Sequence, residues 1–135
     1  ASDDVRFSIP EVDLGIPLAW GGIPRLVREI GPALTKELVM TCRPFGADEA
    51  RAAGFLNRVV PGDQLDDAVE ELAEAVASRP RYAVLATTAH TNAVTEQMVG
   101  LARSWSDADG LAGGLRDAEG RASREAYLAK LQKKR

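Results

Sequence analysis

Polar and apolar positions first alternate along Val5-Arg6-Phe7-Ser8-Ile9, a pattern that predicts a short half-buried strand ended by Pro10. A loop rich in Gly and Pro follows, from Leu14-Gly15-Ile16-Pro17 to Trp20-Gly21-Gly22. Pro24 suits a first helical turn, where its missing N–H costs nothing, and Leu26, Val27 and Ile30 share one face up to Gly31, a natural C′ residue. Pro32 opens a second helix through Leu34, Leu38 and Val39. A short helix over 48–53 is stopped by Gly54, and Phe55-Leu56-Asn57-Arg58-Val59-Val60 predicts a second strand closed by Pro61-Gly62.

Asp63 is the expected N-cap of the next helix, in which Leu65, Val69, Leu72, Ala73 and Val76 fall at helical spacing and Asp66, Asp67, Glu70, Glu71 and Glu74 lie off that stripe. Pro80 separates it from a helix through Tyr82, Leu85 and Ala89. Past Gly100 the pattern weakens. Gly110, Gly113 and Gly114 predict a bend or a flexible break before a terminal helix through Tyr127, Leu128 and Leu131. The sum is two short strands and five or six helices. Two strands do not make an independent sheet, so their apolar residues are expected to find partners elsewhere.

Composition narrows the functional classes. The chain has 135 residues, 45% of them hydrophobic, which suffices for one domain with a buried core. A net charge of −3 argues against nucleic acid or an anionic membrane as the main partner. The basic tail Lys130, Lys133, Lys134, Arg135 is the local exception and reads as a solvated helix end. Cys42 is the single cysteine, so no intrachain disulfide forms and metal signatures built on cysteine pairs are absent. That usage fits a reducing, cytoplasmic setting. No apolar stretch is long enough to span a bilayer, and no signal-peptide pattern starts the chain. The first residue is Ala, so the expectation is a processed chain or a piece of a longer product.

Several isolated residues invite a chemical role without earning one. His90, the single histidine, reads as a helix-surface residue, because nothing supports pairing it with Cys42, Ser104 or Ser106. Cys42 follows an apolar helix and reads as a small buried hydrophobe. Asp107, Asp109, Asp117 and Glu119 do not match a calcium loop and read as helix caps and solvated loop residues.

One ordered set of motifs carries more. Arg6-Phe7-Ser8-Ile9-Pro10-Glu11-Val12-Asp13-Leu14-Gly15 resembles the Phe-x-x-Pro-Glu-x-x-Leu-Gly segment of the crotonase (enoyl-CoA hydratase/isomerase) family. Ile16-Pro17-Leu18-Ala19-Trp20-Gly21-Gly22-Ile23-Pro24-Arg25-Leu26 is similar to the loop and helix that follow it in that family, Gly-Gly-x-x-Arg-Leu. Ile30-Gly31, Glu37-Leu38, Asp48-Glu49-Ala50 and Ala53-Gly54-Phe55-Leu56-Asn57-Arg58-Val59-Val60-Pro61 keep the family's order, as do Leu65, Ala68 and Leu72-Ala73. The set reaches from Ala1 to about Pro80, and agreement of several motifs in order is what makes it informative.

The resemblance implies an α/β fold, the crotonase-like ββα spiral, of which this chain is the helix-rich C-terminal part with few strands. Residues 1–62 are then the end of the spiral core with the catalytic loop, and residues 63–135 a helical oligomerisation region. The implied substrate is an acyl-CoA thioester, with no cofactor beyond the coenzyme A it carries, and the implied assembly is a homotrimer or hexamer. Two backbone N–H groups of such an enzyme steady the enolate oxygen, and two carboxylates handle a proton and a water. Glu11 stands where the family places the carboxylate that protonates Cα, with Ile9, Val12, Leu14 and Leu18 as apolar neighbours. Ala19 falls where a backbone N–H helps hold the catalytic water.

Leu14, Gly15, Leu18, Trp20 and Gly21 are the implied acyl-site residues, Trp20 either narrowing the pocket or packing in the loop. Tyr127 and Lys130 are offered to coenzyme A by the last helix, or Tyr127 packs in the core. The oxyanion amides and the second glutamate belong to the family's N-terminal half, which is therefore an expected partner. The alternatives are an isomerase, or a non-catalytic remnant that serves assembly. The family's chemistry connects with fatty acid metabolism.

Overall fold

The computed structural model describes residues 1–104 and 106–133. The chain divides into two compact units, Ala1–Phe7 with Phe45–Gly100, and Ser8–Pro44 with Leu101 onward.

In the first unit, strand β1 (Arg6–Phe7) pairs antiparallel with β2 (Phe45–Gly46), Phe7 opposite Phe45. The alternation at 5–9 does yield a strand, shortened to two residues. Its partner is too short to show any alternation. The strand expected over 55–60 does not form. Only Val60 bridges, in a lone parallel pair with Ser2. A six-residue strand needs a matching ladder, and among the described residues only the first residues of the chain reach this segment: Asp3 N–H donates to Val60 O at 2.9 Å and Val60 N–H to Ala1 O at 3.2 Å.

Phe55 is placed by helix α2 instead. That helix (Ala47–Ala52) ends in Gly54 at φ 84. Gly54 N–H donates to Arg51 O at 3.0 Å and Phe55 N–H to Ala50 O at 2.9 Å, the two bonds of a Schellman motif. The motif turns Phe55 onto an aromatic trio. It meets Phe7 edge-on at 5.5 Å, and Phe7 stacks on Phe45 at 5.2 Å. Each such contact contributes about 1 kcal/mol beyond its buried area.

A 3₁₀ turn (Gly62–Gln64) leads into α3 (Leu65–Ala77). Asp63 is therefore not the N-cap. It lies inside the turn, whose Gln64 N–H already donates to Pro61 O at 2.9 Å, and Gln64 takes the cap position without a side-chain bond. Helix α4 (Arg81–Met98) starts after Pro80, as expected, and carries His90 exposed. Neither α3 nor α4 buries a residue within the chain.

In the second unit, α1 (Gly22–Thr41) has Pro24 buried near its start and a break at Gly31, φ 75 and ψ 164. The two expected helices thus run on from each other across a kink. Pro32 brings no N–H to the helical ladder there, and Thr35 Oγ1 donates to Gly31 O at 2.7 Å in a buried site. Leu38 and Val39 are buried. Cys42 is half-buried rather than fully buried, because it forms the left-handed C-cap of α1 at φ 52.

The expected break at the glycines is a helix. Gly110, Gly113 and Gly114 all lie inside α5 (Asp107–Arg116). Each glycine costs the helix about 1 kcal/mol, and at Gly114 the missing side chain admits another backbone: a Cβ there would lie 2.8 Å from Gly15 O. The terminal helix α6 (Ala118–Gln132) is capped by Asp117, as expected, through a 2.6 Å bond from Gly120 N–H to Oδ2. Lys130 and Lys133 of the basic tail are exposed; Lys134 and Arg135 lie outside the described residues. Among the described residues, no helix is long and apolar enough to cross a membrane.

Candidate active site

Glu11 sits on a single helical turn that the local sequence builds from both ends. Pro10 opens it, and Pro10 O accepts from Leu14 N–H at 3.1 Å. Gly15 closes it in the left-handed conformation, φ 70. Gly15 N–H donates to Val12 O at 2.9 Å and Ile16 N–H to Glu11 O at 3.0 Å, again the two bonds of a Schellman motif. The Leu14-Gly15 pair therefore does a backbone job: it stops the turn that displays Glu11. The Glu11 side chain is half-buried, and its Oε2 is shut off from solvent without a hydrogen-bond partner. A buried, unpaired acceptor in a native fold asks for a reason, and a ligand or a reacting group is one.

A second tight turn follows. Gly22 N–H donates to Ala19 O at 2.9 Å, with Trp20 at φ 58 and Gly21 at φ 71 between them. Left-handed backbone is natural for glycine and costs a bulky residue about 1–2 kcal/mol, so Trp20 is held in a strained conformation. Ala19 is buried and Trp20 is 66% exposed. Leu18 covers the start of α1, since a Cβ on Gly22 would lie 2.7 Å from Leu18 Cγ. Ala19, Trp20 and Gly21 line a hollow of about 350 Å³ with Arg25, Asp107, Ala108 and Leu111. Asp107 Oδ2 accepts from Gly21 N–H at 2.7 Å.

The same unit's α6 closes on the first turn. Gly120 packs against Gly15 so tightly that a Cβ on Gly15 would collide with the Gly120 backbone, and one on Gly120 would lie 2.7 Å from Gly15 O. Ser123 Oγ donates to Asp13 O at 3.0 Å and Arg124 Nε to Leu14 O at 3.2 Å. Arg124 Nη2, like Glu11 Oε2, is buried without a partner.

The structure thus gathers most of the residues singled out from the sequence into two consecutive turns: Glu11, Leu14 and Gly15 in one, Ala19, Trp20 and Gly21 in the other, with Leu18 between. Of the four residues expected as apolar neighbours of Glu11, Ile9, Leu14 and Leu18 are half-buried and Val12 is 40% exposed. Tyr127 and Lys130 lie further along α6, the first half-buried and the second exposed, and neither lines the hollow at Trp20. Asp107, Ser123 and Arg124 were not foreseen. Asp107 reads as a cap in the sequence, yet it is half-buried and bonds the Gly21 backbone. Serine and arginine on a polar helix carry no signal that they reach two carbonyls 110 residues away. Among the described residues, no three His, Cys, Asp or Glu side chains gather as a metal site.

Comparison with known proteins identifies the family and the fold. The family model for enoyl-CoA hydratase/isomerase matches residues 1–134. A short-chain-enoyl-CoA hydratase of Clostridioides difficile is 45% identical over 84 residues, covering 62% of this chain and 54% of its own. A crotonyl-CoA hydratase of Syntrophomonas wolfei is 37% identical over 92 residues, 68% of this chain and 35% of its own. The chain therefore spans about half or less of the length of these relatives. An enoyl-CoA hydratase/isomerase from Pseudoalteromonas atlantica superposes over 96% of this chain and 51% of its own, with a TM-score of 0.83 and 28% identity. A methylmalonyl-CoA decarboxylase superposes over 96% of this chain and 51% of its own, at a TM-score of 0.77 and 27% identity. The expected fold, the helix-rich part of a crotonase-like spiral, is the one observed, and the chain belongs to the enoyl-CoA hydratase/isomerase family.

Proposed function

We propose that this chain provides the proton-donating half of an enoyl-CoA hydratase, acting on a 2-enoyl-CoA thioester. The observation that carries the reading is Glu11 Oε2, buried and unpaired on a turn built to present it. In the proposed reaction, the second carboxylate takes a proton from water as the water oxygen bonds to Cβ, the resulting enolate takes a proton at Cα from the Glu11 carboxyl, and the proton held by the second carboxylate then returns to Glu11 by exchange with solvent. The Ala19 N–H helps hold the water, and Leu14, Gly15, Leu18, Trp20 and Gly21 shape the acyl site. The oxyanion amides and the second carboxylate come from the N-terminal half of the fold, so the isolated chain is inactive. No cofactor is needed beyond the coenzyme A of the substrate, toward which Tyr127 and Lys130 of α6 are assigned.

The relatives' names support hydration over other thioester chemistry. Double-bond isomerisation is the second reading, favoured by the breadth of the matching family. The region 63–135 is assigned to assembly, as a homotrimer or hexamer, and the single cysteine fits a cytoplasmic, reducing setting.

The test is turnover by this chain together with the N-terminal half of the fold, followed as loss of the α,β-unsaturated thioester. Loss of a general acid slows a reaction by about 10²-fold or more, and Glu11→Gln is expected to fall by that much. Equal turnover by wild type and Glu11→Gln sinks the assignment. Appearance of a shifted double bond without uptake of water decides for the isomerase.

A further inference from the structure

We propose that Arg124, with Ser123 beside it, is a positioning residue for the Glu11 turn. Each carbonyl group of that turn has a donor, and two of those donors come from α6. A helical turn leaves its last carbonyls without internal partners. Pro10 O, Glu11 O and Val12 O accept from Leu14, Ile16 and Gly15 N–H within the turn. Asp13 O and Leu14 O have no donor there. Ser123 Oγ takes the first at 3.0 Å and Arg124 Nε the second at 3.2 Å.

Both donors stand on α6 just past Gly120, the residue that lets the helix backbone lie against Gly15. The notch between Gly15, Gly114 and Gly120 sets the distance, and the two side chains set the register. The Arg124 head group donates through Nε, and its Nη2 is buried and unpartnered at the same junction. An arginine at a carbonyl contributes one of the stronger protein hydrogen bonds, and leaving Leu14 O without a donor loosens the turn that carries Glu11. The effect on catalysis rests on Glu11 being the acid; the mechanical role does not.

The experiment compares amide hydrogen exchange and turnover in the assembled hydratase, with the N-terminal half present. In Arg124→Met, protection of the Leu14 and Ile16 amides is expected to fall about tenfold while the Leu38 amide of α1 keeps its protection. With that loosening, kcat falls by a larger factor than KM for the thioester rises, and Arg124→Lys restores part of the lost protection and of the lost kcat. Unchanged protection at Leu14 and Ile16, or an equal fall at Leu38, overturns the proposal. If Arg124→Met does not fold, Ser123→Ala decides in the same direction with a smaller fall, and no change there overturns it. The two readings separate cleanly. A silent Glu11→Gln with a loosened Arg124→Met turn removes the acid and keeps the clamp; a dead Glu11→Gln with an unaltered Arg124→Met turn does the reverse.

Discussion

Gly15 answers two demands at once. Its φ of 70 is the left-handed conformation that ends the Glu11 turn, and its α-carbon lies where a side chain would enter the backbone of Gly120. A left-handed alanine costs about 1–2 kcal/mol, and forcing a methyl group against fixed backbone adds about 1–3 kcal/mol. Gly15→Ala is therefore expected to lower stability by about 3 kcal/mol, measured by denaturant unfolding. A loss of only about 1 kcal/mol, the cost of the left-handed backbone alone, would mean that α6 does not sit on this turn. The first demand is legible only in part, because Leu14-Gly15 reads as the start of a loop rich in Gly and Pro while the helical turn that Gly15 ends carries no signal of its own. The second is not legible at all, because it depends on residues more than a hundred positions away that share no pattern with it. The same holds for Trp20, which sequence alone marks as bulky in a glycine-rich loop. Its left-handed backbone is visible only once the turn from Ala19 to Gly22 is seen closed.

At the level of elements, periodicity located the helices well and glycine misled. Two glycine-rich stretches look alike on paper. One, around Gly21, is a real turn with positive φ; the other, Gly110 to Gly114, is helix because close backbone packing outweighs poor propensity. The strand read over 55–60 failed for a related reason: Phe55 belongs to the aromatic trio through a helix ending, and apolar content without a ladder partner does not make a strand. Where a cap residue and its target are close in sequence, reading is easier. Asp117 precedes the α6 stripe and does bond Gly120 N–H. Replacing it with Ala is expected to cost about 1 kcal/mol, with Asp117→Asn nearly neutral. Because Gly120, Ser123 and Arg124 ride on the first turns of this helix, Asp117→Ala also raises exchange at the Ile16 amide. An unfolding midpoint equal to that of wild type, with unaltered Ile16 exchange, removes the cap from the account of the site.

For the molecule as a whole, the apolar content and the buried content do not match. Hydrophobic residues make up 45% of the chain, yet those buried among the described residues are Ala19, Leu38, Val39, Phe45, Ala47 and Ala50. The exposed surplus runs from Val12 to Leu131, and one part of it forms a continuous helix face. Val69, Leu72 and Val76 of α3 are 57%, 44% and 49% exposed, and with Phe55, Leu56 and Leu65 they line an apolar hollow of about 660 Å³. The sequence shows this stripe through its spacing; what covers it has no signature in the chain. Under the proposed function, this face is covered either by the N-terminal half of the fold or by a neighbouring copy of the chain, and the first is the reading that a charge at Val69 tests. Burying a valine or leucine there contributes about 1.5–3 kcal/mol per side chain, whereas an unpaired lysine head at the same place costs several kcal/mol. Val69→Lys should then leave the unfolding free energy of the chain alone within about 0.5 kcal/mol of wild type, since the site is already exposed. The same change should abolish association with the N-terminal half, read by sedimentation, and with it thioester turnover. If Val69→Lys associates and turns over like wild type, this face looks onto solvent in the working enzyme, and the half-site must be completed across some other surface.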